Sequence, residues 1–364
     1  MIVAVVTPWF PSAEDVVSGL FVQREVDALR DAGASVRVIH LDRELPAGEQ
    51  VLEDRDGLPV LRIGMNPANP VSVARALRPL KGALHAADVV NTHAISALPV
   101  ALAARIKQPW IHTEHWSALS APESASRLLQ AVRPAFAALL RAPDVVVAES
   151  ERLADPIRRF RGDGPVALIP CIVPPPQAAR AREESETLRL FSTGGVIDRK
   201  NPLLAVRTVK ELQDRGVPTT LRWAGLGDLI EEAQDLADEL GVDAQFLGRC
   251  SPEQIEEELA NCDVFFAPTK GDNFFVAAAE ALVNDRPICA SDQGGHVEYA
   301  DPRFSEIVVE QTPQAYADAL LRLREKMVGV PSGAVAETVS DRFAPETIAQ
   351  TYTNLYEALL TEAG

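Results

Sequence analysis

The chain has 364 residues, 47% of them hydrophobic, with a formal net charge of −17 and a pI near 4.9. That length exceeds what one hydrophobic core supports, so two domains are expected, and the apolar content is ample for two cores. The acidic balance argues against nucleic acid as a partner, because its phosphates would be repelled.

The N-terminal run Met1-Ile-Val-Ala-Val-Val-Thr-Pro-Trp-Phe-Pro lacks a basic leader and is interrupted by Pro8. It therefore reads as a first strand over residues 2–6 and not as a signal peptide. No apolar run reaches membrane-spanning length, so the expected location is the cytoplasm, at most peripheral on the inner membrane face. Ser18-Gly19-Leu20-Phe21-Val22 then leads into a helix over 23–32. Strand patterns at 36–40, 89–92, 110–113 and 145–148 alternate with helical ones, which implies a parallel sheet covered by helices.

Two strand ends in this half carry histidines. Asn91-Thr92-His93-Ala94 closes one, and Ile111-His112-Thr113-Glu114-His115-Trp116 follows another. Two histidines and a glutamate could bind zinc, but His at i and i+3 in an extended segment does not set one ligand face, and no third distant ligand is evident. No metal is expected. Residues 100–162 are locally basic, and Arg127, Arg133 and Arg141 accompany Leu128, Leu129, Val132, Phe136 and Leu139. Such a face can lie weakly on an anionic membrane, but Pro134 interrupts it and a solvated face is the favoured reading. Ser150 reads as a helix N-cap.

The Pro-rich Ile172-Val-Pro-Pro-Pro-Gln and the charged residues 178–186 have the composition of an interdomain linker. A second series of strand patterns follows at 188–192, 220–224, 244–247, 264–267, 288–290 and 307–309. The four cysteines, Cys171, Cys250, Cys262 and Cys289, contain no Cys-x-x-Cys pair and read as small buried residues in a reducing compartment.

The chemistry of the second half lies in its loops. Ser192-Thr193-Gly194-Gly195 precedes Asp198-Arg199-Lys200-Asn201-Pro202. Glycines there let backbone amides approach an anion, and Lys200 adds a point charge. Arg222-Trp-Ala-Gly225-Leu-Gly227 and Phe246-Leu-Gly248-Arg249 end two further strands. The most informative segment is Lys270-Gly271-Asp272-Asn273-Phe274-Phe275-Val276 with its Ala-rich continuation to Leu282. A loop there enters a helix N-terminus, whose unpaired N–H groups favour a phosphate. Asp272 in the loop and Glu280 on the helix add two acceptors for hydroxyls, and hydroxyls plus phosphate suggest a nucleotide sugar. Ser291-Asp292-Gln293-Gly294-Gly295-His296 forms another glycine loop after a strand, with His296 read as a loop residue and not a catalyst. An amphipathic helix over 347–360 closes the chain.

The segment around Asp272 resembles the acidic signature of retaining, family 4 type glycosyltransferases, which usually reads Glu-Gly-Phe-Gly, four residues, then Glu. Asp272 stands at the first Glu, Phe274 at the Phe and Glu280 at the second Glu, while Asn273 and Phe275 replace both small residues. Gly195 stands where the family usually has an Arg, and Gly19 stands alone where many members carry two glycines. The resemblance implies two Rossmann-like α/β domains facing across a cleft, the GT-B architecture: an acceptor-side domain over 1–175, on which the final helix at 347–364 packs back, and a nucleotide-sugar domain over 176–346. It implies transfer of a sugar, with retention and without metal or cofactor, to a carbohydrate, lipid-linked or small-molecule acceptor.

The same resemblance assigns Asp272 to hydroxyls of the transferred sugar, Glu280 to the ribose, and Asn273, Phe274, Phe275 and Val276 to the diphosphate side of the loop. It places Gly19, Gly194, Arg199 and Lys200 at the phosphates, Arg249 at the base-contacting turn, His115 beside the transferred sugar, and His93 with Glu114 toward the acceptor. Catalysis would rest on His115, Asp272 and Lys200. Two rival readings are a nucleotide-sugar epimerase of the same architecture and a degenerate sugar-nucleotide binding protein. An NAD-dependent reductase is disfavoured, since no strand is followed by Gly-x-Gly-x-x-Gly.

Overall fold

The computed structural model describes residues 1–12, 18–122, 127–176 and 185–363. The chain divides into two compact units, Met1–Ile172 with Phe343–Gly364, and Val173–Arg342. Most of the segment read as a linker, residues 177–184, lies outside the described residues.

The first unit contains an eight-stranded sheet. Its strands are β1 (Ile2–Thr7), β2 (Ser35–Asp42), β3 (Gln50–Arg55), β4 (Leu58–Gly64), β5 (Val89–His93), β6 (Trp110–Glu114), β7 (Val145–Ala148) and β8 (Val166–Leu168), in the order β3-β4-β2-β1-β5-β6-β7-β8. Central strands such as β1 and β5 are buried almost throughout because helices cover both sheet faces, β1 with an apolar run and β5 with Asn91, Thr92 and His93 at its carboxyl end. The expectation of a wholly parallel sheet is corrected at one edge, where β3 and β4 pair antiparallel. Their turn is Asp56-Gly57, with φ of 50° and 77°, the left-handed pair that a two-residue hairpin requires. The Asp-Gly dipeptide was the sequence signal for it.

The second unit holds β9 (Leu188–Thr193), β10 (Thr219–Ala224), β11 (Asp243–Gly248), β12 (Val264–Ala267), β13 (Ile288–Ser291) and β14 (Ser305–Val308), all parallel, in the order β11-β10-β9-β12-β13-β14. In both units the strand order reverses beside the first strand, between β1 and β5 and between β9 and β12. Ligands of open α/β sheets bind at the carboxyl ends of the strands flanking such a reversal.

The final helix, Pro345–Ala363, belongs to the first unit. Tyr352 and Tyr356 bury their rings there, and Asn91 Nδ2 donates to the Tyr356 hydroxyl at 3.3 Å. Pro134 does not interrupt its helix: Arg127–Ala137 runs through it and continues as a tighter turn, Ala138–Arg141. Leu128 and Leu129 on that helix are exposed. All four cysteines are free; Cys262 and Cys289 are buried as expected, whereas Cys171 and Cys250 are only half-buried. Among the described residues no helix is long and apolar enough to cross a membrane.

Candidate active site

In the second unit the chain around the order reversal is pinned from several sides. After β9, Gly194 turns with φ 124°, and its carbonyl accepts from Trp223 Nε1 at 3.0 Å. Gly225, at the end of β10, lies against the same carbonyl: a Cβ there would sit 1.9 Å from it. The Gly-x-Gly at 225–227 is therefore a close-packing requirement that shapes the loop, and any other residue would push the two strand ends apart.

Arg199 and Lys200 end a short 3₁₀ turn, Asp198–Lys200, that packs on the loop after β12. The backbone N–H of Lys270 donates to the Arg199 carbonyl at 2.7 Å, and Thr269 Oγ1 donates to the same carbonyl at 3.1 Å. Lys200 Nζ donates to Asp272 Oδ2 at 2.6 Å, and Arg199 Nη1 donates to that oxygen at 3.2 Å and to the Gly271 carbonyl at 2.5 Å. Burial opposes the charge on Asp272, but the adjacent Lys200 and Arg199 outweigh it and hold the carboxyl below the usual carboxylate range. Burial also pulls Lys200 below its ordinary value, despite Asp272. Arg199 thus adds a second positive charge beside Asp272, while Gly195 carries no side chain.

Phe275 occupies the N-cap of the helix Val276–Val283 with φ 69°, ψ 64°, a left-handed conformation that glycine adopts without penalty and a Cβ residue does not. The surroundings hold it there. Its carbonyl accepts from the Tyr299 hydroxyl at 2.7 Å, and its ring packs on Phe265 and His296 at 6.0 and 5.2 Å between centroids. The Lys200 ammonium lies 3.9 Å from the ring centroid, so Phe275 adds a cation–π contact at a position where the family keeps a small residue. Asn273 and Phe274 are buried, Val276 and Glu280 half-buried, and Arg249 exposed beyond β11. His296 is a fully buried packing residue whose Nε2 bonds to the Ser291 carbonyl at 2.6 Å.

The first unit assembles its polar groups at the corresponding edge. Gly19, left-handed at φ 80°, caps the helix Leu20–Asp31; a Cβ there would meet the Trp9 carbonyl at 2.5 Å. His115, just beyond β6, bonds through Nδ1 to Glu149 and through Nε2 to His93 Nδ1 at 3.2 Å. Its ring is wedged against Phe21 and Trp9. Burial disfavours its charged form, yet Glu149, Glu114 and Glu25 prevail and raise its pKa. A cleft beside it is lined by Phe21, Glu25, Glu149, Cys171 and Tyr352.

The two residues assigned to the acceptor side, Glu114 and His93, are both buried. Glu114 is fully buried. One of its oxygens bonds His112 Nε2 at 3.0 Å and the other accepts the backbone N–H groups of His115 and Trp116 at 2.8 Å. It organises the turn after β6. His93 is likewise buried, not a surface residue, and meets His115. His112 points into the fold, hydrogen-bonded to Thr92 at 2.9 Å. Sequence reasoning missed Glu25 and Glu149; the available signal was that Glu149 immediately follows a strand. Among the described residues no group of three or more His, Cys, Asp or Glu is placed to hold a metal ion.

The family model Glycosyltransferase Family 4 matches residues 19–176, and Glycosyl transferases group 1 matches residues 187–326. The chain belongs to the family 4, group 1 glycosyltransferases. No curated protein matches the sequence significantly. Similar solved structures include sucrose-phosphate synthase from Thermosynechococcus elongatus, 20% identical with a TM-score of 0.78 over the whole of both chains. Anabaena Alr3699/HepE in complex with UDP-glucose is 15% identical with a TM-score of 0.76, over 98% of this chain and 100% of that one. The apo lipopolysaccharide outer core galactosyltransferase WaaB is 14% identical with a TM-score of 0.73, over 98% and 99%. These likenesses show the GT-B fold; the family models make the chain a glycosyltransferase and do not favour an epimerase or a degenerate binding protein.

Proposed function

We propose that this glycosyltransferase moves a sugar from a nucleoside-diphosphate donor to an acceptor hydroxyl with retention and without a metal, in the cytoplasm. The observation that carries the reading is Asp272, clamped by Lys200 and Arg199 at the strand-order reversal and four residues before the start of the helix Val276–Val283. In the proposed complex Asp272 accepts the hydroxyls of the transferred sugar and Glu280 those of the ribose. The ammonium of Lys200 has three N–H donors, so it can keep Asp272 and still meet the diphosphate. The leaving phosphate is then stabilised by Lys200, by amides at Asn273–Val276, and by the helix N-terminus, with Gly194, whose own N–H donates to the Ala224 carbonyl at 2.9 Å, shaping the loop beside it. Gly19 serves the phosphates from its own helix N-terminus, Arg249 the base, and His115 the position of the reacting sugar. Attack of the acceptor hydroxyl on the face the diphosphate leaves retains configuration, and no side chain forms a covalent bond.

A panel of nucleoside diphosphates tests this by thermal shift, with UDP first because the similar HepE binds it. A cognate nucleotide at a hundredfold excess over its Kd should stabilise the protein by about 2.7 kcal/mol. Absence of any shift across the panel would overturn the donor assignment. With the cognate donor and a carbohydrate acceptor, NMR of the product anomer decides retention, and an inverted linkage would refute it.

A further inference from the structure

The end of the Lys200 side chain is enclosed by three neighbours. Asp272 Oδ2 accepts from Nζ at 2.6 Å, the Phe275 ring centroid lies 3.9 Å from the same nitrogen, and a Cβ on Gly194 would stand only 3.5 Å from Cε. Both Lys200 and Phe275 are buried. Arg199 shares the Asp272 oxygen at 3.2 Å, so two cations lean on one carboxylate and repel each other. A second carboxylate would hold the ammonium, but it would also cancel the remaining positive charge and repel an incoming anion. An aromatic face attracts a cation through its quadrupole and carries no net charge.

The ring is itself held against a backbone preference. Phe275 sits at φ 69°, ψ 64°, which glycine adopts freely and a residue with a Cβ only when its surroundings impose it. The Tyr299 hydroxyl reaches the carbonyls of Phe274 and Phe275 at 3.0 and 2.7 Å. Phe265 and His296 meet the Phe275 ring at steep angles of 64° and 74°. Three residues thus keep a phenylalanine where glycine would fit with less strain, and Lys200 stands over its ring.

We propose that Phe275 is a positioning residue for Lys200, its ring fixing the ammonium beside Asp272 without neutralising it and leaving one N–H for the diphosphate. The ammonium has three N–H groups: Asp272 takes one, the ring face takes the second, and the third is free for a phosphate oxygen. With two cations on one carboxylate, the cluster keeps one positive charge uncancelled. A donor fixed in this way needs no reorganisation as charge develops on the leaving phosphate. The role belongs to the side chain of Phe275 and is separate from that of its backbone amide.

The inference rests on the proposed diphosphate site, but the ring contact can be tested in the free protein. Ring current should move the terminal side-chain protons of Lys200 upfield of those of the other lysines, in a signal that Lys200→Ala lacks. Phe275→Leu, which keeps apolar bulk, should return it to the ordinary position. An unshifted Lys200 signal in the wild type would overturn the contact. Calorimetry with UDP reads the functional part. Site-specific replacement of Phe275 by progressively fluorinated phenylalanines keeps the ring's shape and drains negative charge from its face. UDP affinity should fall stepwise, by about threefold to tenfold across the series, and the same series in Lys200→Ala should show no change. An equal loss without Lys200, or no loss with it, would overturn the positioning role and make the ring a packing group only. If the upfield signal appears but UDP and the rest of the nucleotide panel fail to bind, the contact stands and the donor reading falls.

Discussion

The two units solve the same topological problem with opposite charge. At the reversal between β9 and β12, two cations, Lys200 and Arg199, close on one carboxylate, Asp272. At the edge flanking β1 and β5, two carboxylates, Glu25 and Glu149, close on two imidazoles. Both clusters sit where parallel strands end and helices begin, so the fold supplies the place and the side chains choose the ligand. The cationic cluster suits a diphosphate; the acidic, histidine-bearing one suits neutral hydroxyl chemistry and proton handling.

The largest way to break this contrast is to remove Lys200. Lys200→Ala leaves Asp272 with Arg199 alone, and losing one partner of a buried pair costs on the order of 3 kcal/mol. Chemical denaturation should show that loss, and turnover with every active donor should fall. Full turnover in Lys200→Ala would show that the cationic cluster is structural only. Next comes His115→Ala, expected to lower turnover on the order of a hundredfold through lost positioning, while calorimetry finds nucleotide affinity nearly intact. Collapse of nucleotide binding in that variant would mean that the clusters do not divide the work as the contrast states. Glu280→Ala should weaken the free nucleoside diphosphate roughly tenfold, the worth of one charge-assisted hydrogen bond, with His115 titration unchanged; undiminished affinity would remove Glu280 from the site.

The contrast also explains what could be read in the sequence. The cationic site is nearly local: Asp272, Asn273, Phe274, Phe275 and Glu280 fall in one motif, and Arg199 and Lys200 in another, so strand pattern and glycine spacing announced both. The acidic site draws on residues 25, 93, 115 and 149, each on a different element, and only the order β1-β5-β6-β7 brings them together. His93 and His115 were legible as strand-end residues; their pairing with Glu25 and Glu149 was not, because no spacing encodes a neighbour across a parallel sheet. Glu114 shows the same limit. Adjacency to His115 in the chain says nothing of direction, and alternation along the strand turns its carboxylate inward. Phe275 looked like a defect in the family pattern, whereas the structure keeps the left-handed backbone and uses the ring against Lys200.

The smallest effect concerns the pH dependence of stability. His115 has a raised pKa in the folded protein, with burial opposing the shift and Glu149 foremost in producing it. A group whose folded pKa lies above its unfolded value stabilises the fold fully below the unfolded value, and that contribution is lost as pH rises through the folded one. The stability difference between wild type and Glu149→Gln should therefore be greatest at about pH 5.5, below the ordinary histidine range, on the order of 1 kcal/mol. It should shrink as the solution is made alkaline and His115 gives up its charge. Denaturant midpoints across that range, at constant ionic strength, provide the check. A difference that grows with pH would have the wrong sign for an imidazolium held by Glu149, and would instead point to a neutral ring for which the carboxylate is only a hydrogen-bond acceptor.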